Sequence, residues 1–287
     1  MGGGSWTTSS FVNYCTTTRG ISDCSLSVDG VITTSMSSQE MFKAKSVDSA
    51  LKPYKVMREC MDTNEHPNTI PVILALDVTG SMGNAAVEVA KKLNVVMTSL
   101  YDKVTDVEFM VMGIGDLSYD SAPIQISQFE SDIRIAEQMD KVFFEYGGGG
   151  NLFESYTVAW YMGSRHTKLD CWARGKKGII ITMGDERVNP YLPHDQLNAL
   201  TGDNIQADIE SNVLFKEASE KYDIYHLDVS HGWRWDEGID KSWLSILDAD
   251  HYKKVTLETV SNTIVDIIVN ASKNETVYTN NNGEISW

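Results

Sequence analysis

From residue 69 onward, apolar runs of strand length alternate with longer stretches of helical periodicity. Residues 72–76, Val-Ile-Leu-Ala-Leu, are apolar without a break, as in a strand covered on both faces. Helical spacing follows over 85–101, then strand-like residues 107–114 and a shorter run at 124–129. The turn 115–123 is too short for a crossover, so 124–129 is expected to lie antiparallel at a sheet edge. Helices are predicted over 133–141 and 152–163, a buried strand over 178–183 and an amphipathic helix over 209–222. A strand at 224–229, a short helix at 242–249, a last strand at 252–255 and a closing helix at 257–270 complete the pattern. The alternation predicts an α/β, Rossmann-like fold: a mostly parallel central sheet, one antiparallel edge strand, and helices on both faces. No internal repeat interrupts it.

The flanks read differently. Residues 1 to about 40 are rich in Ser, Thr and Gly with little periodicity, and 41–66 mix apolar and charged residues around Pro53. Residues 1–66 are therefore expected to form a polar, partly flexible amino-terminal extension, 67–272 the folded domain, and 273–287 a loose tail. Trp6, Phe11 and Tyr14 argue against an inert arm; they suit packing on the domain or on a neighbouring subunit.

Charge narrows the function. Forty Asp and Glu against 24 Lys and Arg give a net charge of −16 over 287 residues. Such a chain repels phosphate backbones, so nucleic acid is not an expected partner. The charge suits simple solubility, or a field that draws in cations or a basic partner. No run approaches about 18 apolar residues, so no membrane span is expected. The amino terminus lacks the basic and apolar regions of a secretory signal, which makes the cytoplasm the expected compartment. Cys15, Cys24, Cys60 and Cys171 are scattered, without the spacing of a zinc site.

Candidate chemistry gathers where the strands end. In a parallel sheet the carboxyl ends share one rim, and ligands bind there. The 72–76 run ends in Asp77, Thr79 and Ser81, and the 178–183 run is followed by Asp185 and Glu186. The glycines 147–150, with Asn151 after them, are expected to reach the same rim. Grouped hard oxygens suit a small hard cation, Mg²⁺ first, with Mn²⁺ or Ca²⁺ as alternatives. Asp, Thr and Ser also cap helices, and capping is the competing reading of 77–81. Asn151 suits either a metal shell or a turn. Glu154 and Ser155 read as caps of the next helix, and Asp116 and Asp120 as solvated turn residues.

Asp77-Val-Thr79-Gly-Ser81 resembles the Asp-x-Ser-x-Ser signature of the von Willebrand factor A domain, with threonine at the middle hydroxyl. Residues 147–155 and 179–186 resemble that family's second and third site loops, so the resemblance covers roughly 68–272. It implies a metal-ion-dependent adhesion site with Asp77, Thr79, Ser81, Asn151 and Asp185 around the ion. Two departures stand out: Asn151 replaces the usual threonine, and Met183 and Gly184 intervene before the aspartate. The implied function is non-enzymatic, with a divalent ion bridging to an acidic group of a partner protein. A scaffold with a degenerate metal site and a metal-dependent phosphoesterase are the alternatives. Trp233, Arg234 and Trp235, after the strand 224–229, form a candidate partner surface or else close the core beneath a loop.

Overall fold

The computed structural model describes residues 4–21, 26–32, 36–145, 153–229 and 237–273, with Ser38 and Ser81 described by backbone alone. Six strands form the central sheet: β1 (Ile70–Asp77), β2 (Val107–Ile114), β3 (Ile124–Ile126), β4 (Gly178–Gly184), β5 (Tyr222–Val229) and β6 (Tyr252–Val255). Their order is β6-β5-β4-β1-β2-β3. Every neighbouring pair is parallel except β2–β3. The expected sheet, with its antiparallel edge strand, is the one observed.

Strand alternation builds two cores. Val72, Leu74 and Leu76 of β1 share one face with Phe109, Val111, Ile179, Ile181 and Leu227. Helices α2 (Gly83–Tyr101) and α8 (Val260–Lys273) cover that face. Ile73 and Ala75 share the other face with Met110, Met112, Ile180 and Ile224. Over it lie α4 (Val158–Arg165) and α6 (Ser211–Ser219). Helix α2 buries Ala86, Val89, Ala90, Leu93, Val96, Met97 and Leu100, a stripe at spacings of three and four residues. Each buried Val, Leu or Met side chain of that stripe contributes about 1.5–3 kcal/mol.

The polar extension is a wall of the domain where it is described. Helix α1 (Thr8–Tyr14) starts at Thr7, whose side chain accepts from the Ser10 amide. Trp6, Phe11, Tyr14 and Cys15 join the core against α2. Arg19, buried, donates to both oxygens of Asp140 at 2.8 and 2.7 Å, and the Tyr14 hydroxyl donates to the same carboxylate at 2.9 Å. The Trp6 indole donates to Asn94 Oδ1 at 3.0 Å. The arm is anchored by Trp6, Phe11 and Tyr14, the aromatics that argued against an inert tail.

Several boundaries move for local reasons. The edge strand stops at Ile126, because the Ser127 hydroxyl takes the Val111 amide (2.8 Å) in place of a backbone carbonyl; pairing returns only at Glu130 with Phe109. The helix predicted over 152–163 opens extended. Phe153–Glu154 pairs in parallel with Arg187–Val188, and the Thr157 amide and hydroxyl are taken by Asn189 just before α4. Helix α7 (Glu237–Leu244) lies earlier than expected. The Asp248 side chain closes a turn over 248–251 instead, accepting the Asp250 and His251 amides. Thr256 and Thr259 exchange amide and hydroxyl bonds, which sets the start of α8 at Val260. Two more helices were not predicted or were shortened: α5 (His194–Thr201), and α3 (Arg134–Met139). No helix among the described residues is long and apolar enough to cross a membrane.

Candidate metal centre

Asp77 ends β1 with odd parity, so its side chain falls on the face of Ile73 and Ala75, beneath α4. It is fully buried. Oδ1 accepts the Thr79 amide at 2.9 Å and the Thr79 hydroxyl at 2.6 Å. Oδ2 accepts the Tyr156 hydroxyl at 2.9 Å. Thr79 is extended and leads into a single tight turn, Gly80–Met82, that runs on into α2. The Asp77 carboxylate therefore folds back onto its own loop; the caps of this turn and of α2 receive no side-chain bond. Helix capping is not what the Asp77 side chain does here.

The second and third loops arrive by backbone pairing. The Glu145 amide donates to the Val78 carbonyl at 3.0 Å, placing the entry of the glycine loop beside Thr79. The glycines 147–150 and Asn151 lie outside the described residues, as do Trp233, Arg234 and Trp235 and the side chain of Ser81. β4 runs through Gly184, so Asp185 directly follows the strand. The two-residue spacer that looked like a departure is strand. Leu76 pairs with Met183, which brings Asp185 to the rim beside Asp77. The proximity is electrostatic as well as topological. Burial pushes the Asp77 carboxyl up to about 7, and the charge of Asp185 adds to that; the bonds from Thr79 and Tyr156 oppose it.

The structure adds a residue that sequence reading missed. Tyr156 is wholly buried. While its hydroxyl donates to Asp77, it accepts the Glu186 amide at 3.3 Å. One phenol therefore ties the first loop to the third. The Glu186 carbonyl is held in turn by the Trp243 indole at 3.1 Å. Trp243 stacks on His226 at 3.5 Å between ring centroids, and His226 Nδ1 meets the Thr182 hydroxyl at 2.9 Å. A Cβ on Gly184 would collide with the Tyr156 ring. A glycine between strand and aspartate, and a tyrosine just past the glycine loop, were the available signals.

Glu154 and Ser155 do not cap a helix. The Ser155 hydroxyl accepts the Leu117 amide at 3.0 Å, fixing the loop after β2. Asp116 is buried there, and its Oδ1 accepts the Ser118 amide at 2.7 Å; Asp120 Oδ2 accepts the Asp116 amide at 2.6 Å. Both are turn residues, as read, and organise the loop by side-chain bonds; Asp116 is buried rather than solvated, and Asp120 is half-buried. Burial raises the Glu154 carboxyl to about 10, reinforced by the charges of Asp77, Asp120, Asp116 and Glu186.

Among the described residues, no three His, Cys, Asp or Glu side chains sit close enough to cage an ion by themselves. Any cation here would be held by few carboxylates together with neutral oxygens and water, which is the donor set Mg²⁺ prefers. The residues present fit that role. Thr79 gives its proton to Asp77 and keeps lone pairs for a ligand bond. Cys15, Cys60 and Cys171 are buried, and burial pushes the Cys60 and Cys171 thiols up, which suits structural rather than metal-binding thiols.

Sheet order, a single antiparallel edge strand and an Asp-x-Thr-x-Ser turn at the carboxyl rim define a von Willebrand factor A-like fold. No protein-family model and no curated protein matches the sequence. Similar solved structures include the vWF domain of the type V pili tip protein Mfa5 from Porphyromonas gingivalis, at 11% identity and a TM-score of 0.48, covering 76% of this chain and 98% of that one. The pilus adhesin SpaC from Lactobacillus rhamnosus GG, in its open conformation, matches at 15% identity and 0.48, over 72% of this chain and 30% of its own. Proximal thread matrix protein 1 from the mussel byssus, with a zinc-occupied MIDAS motif, matches at 12% and 0.44, over 71% and 48%. The chain thus spans under a third of the adhesin and about half of the byssus protein. Identities this low say nothing of function, and the fold follows from the chain's own sheet order.

Proposed function

We propose that this protein is a binding module whose rim loops hold a divalent cation, Mg²⁺ in the first instance, and present it to an acidic group of a partner protein. The observation that carries the reading is Asp77: a fully buried carboxylate at the end of the central strand, bonded to Thr79 and within the field of Asp185. A carboxylate buried without a cationic partner among the described residues, and raised further by the charge of Asp185, is a place where a cation lowers the cost of ionisation. When bound, the ion supplies an open coordination position for a carboxylate from outside. The chain's own residues then do the holding. Thr79 and Tyr156 fix both oxygens of Asp77, Tyr156 also fixes the Glu186 amide, and Ser81 and Asn151 stand as the neutral ligands of the neighbouring loops.

The reading is non-enzymatic. The role proposed for the site is to present an open coordination position, not to move protons. Trp233, Arg234 and Trp235, which follow β5, are the proposed partner-facing residues.

Capture of a partner from native lysate, run with Mg²⁺ and with chelator, tests the reading. Metal-dependent capture should vanish in the double variant Asp77→Ala, Ser81→Ala while circular dichroism stays unchanged. Capture by that variant equal to wild type would sink it.

A further inference from the structure

Among the described residues, Glu154 is an acidic side chain near the rim to which the site as described gives no role. It is only 7% exposed. Its Oε2 is buried with no hydrogen-bond partner among the described residues. A buried carboxyl oxygen without a donor is unfavourable in either protonation state, and the usual resolution is an ordered water, an ion or both. The charges that act most on Glu154 all have its own sign: Asp77, Asp120, Asp116 and Glu186.

Its neighbours show why it stays there. Phe153–Glu154 is pinned by parallel pairing to Arg187–Val188, the two residues that follow Asp185 and Glu186. The next residue, Ser155, holds the loop after β2, and Tyr156 holds Asp77 and Glu186. Three consecutive residues are thus tied to the rim loops, Glu154 by its backbone and Ser155 and Tyr156 by their side chains. Glu154 alone among them has an oxygen left over.

We infer that Glu154 is a positioning residue of the metal centre, accepting a hydrogen bond from a water of the bound cation. The inference rests on the metal reading above. Among the described residues no three His, Cys, Asp or Glu side chains are close enough to share an ion, so the inference places Glu154 one water away from the cation. Mg²⁺ keeps several of its waters, and those waters can only donate. A buried carboxyl oxygen with no partner of its own among the described residues is the complement of such a water, and the charge of the cation would offset the cost of ionising it.

The test uses the full chain and Mn²⁺ as the probe, with free ion counted by electron paramagnetic resonance. Glu154→Gln keeps the shape and removes the charge. We expect Mn²⁺ affinity to fall about 10- to 100-fold, the usual effect of losing an outer-shell partner, while the unfolding midpoint in chelator equals or exceeds that of wild type. A purely structural role predicts the reverse: a lower midpoint and unchanged affinity. Wild-type affinity in Glu154→Gln, with binding abolished in Asp77→Asn, would overturn this inference and leave the metal reading standing. Failure of the wild-type chain itself to bind Mn²⁺ overturns both. If Glu154→Gln does not fold, Glu154→Asp carries the same comparison, and wild-type affinity in that variant overturns the inference.

Discussion

Asp77 makes the metal-free protein sensitive to pH in an unusual direction. Its carboxyl has an ordinary value of 3.8 and is pushed to about 7 in the fold, first by burial and then by Asp185. Between those values the folded chain holds a proton that the unfolded chain has released. Stability from this group is therefore fully present below about pH 4 and is lost as pH rises through about 7. At about 1.4 kcal/mol per pKa unit, the loss reaches up to about 4 kcal/mol, a large share of the stability of an ordinary domain. Asp77→Asn removes the titration. The amide oxygen still accepts from Thr79, at the cost of about one hydrogen bond, roughly 1 kcal/mol, toward Tyr156. The assay is urea unfolding in chelator, at pH steps from 4 to 8, for wild type and variant. Other acids titrate in both proteins, so the difference curve isolates Asp77. We expect the wild type to start the more stable at pH 4 and to be overtaken by the variant as pH approaches 7. Parallel curves across that window would refute the account of Asp77 as a charge held against its preference.

A cation favours the ionised carboxylate, so the gain in melting temperature on adding Mg²⁺ should be larger at pH 8 than at pH 5; an equal gain at both would count against binding through Asp77. Tyr156→Phe removes the donor to Asp77 Oδ2 and should lower stability in chelator by about 1–3 kcal/mol at pH 8, with a smaller loss at pH 5, read by urea titration. Arg19→Ala strips the guanidinium from Asp140 and should cost about 3 kcal/mol, the lower end for a broken buried pair because Tyr14 remains. Limited proteolysis should then cut the first 21 residues faster than in wild type.

The sheet was legible because its strands are covered on both faces, so they read as apolar or nearly apolar runs, broken by Glu108 in the second and Thr182 in the third: 72–76, 107–114 and 178–183 lie within or match observed strands. The edge strand was placed by the length of its turn alone. What could not be read were elements set by single side chains. Ser127 ends β3, Asn189 delays α4, and Asp248 takes over a segment that looked helical. No periodicity announces such bonds. The motif put Asp77 and Thr79 at the carboxyl end of the first strand, where they lie, and the spacing to Asp185 looked irregular only because the strand's end was placed one residue early. Tyr156 and Glu154 were hidden because the residues after a glycine loop look like the start of a helix. Their true conformation depends on pairing with 187–188, which lies more than thirty residues away.

The docked arm bears on how this protein should be handled. Fragments cut to start at the first sheet strand would lose Trp6, Phe11, Tyr14 and Ile32 from the flank of α2. The oily strip laid bare would run along the very helix that the Ser81 turn leads into. A trimmed fragment would then stick to unrelated apolar surfaces, whatever the ion, and mimic adhesion without possessing it.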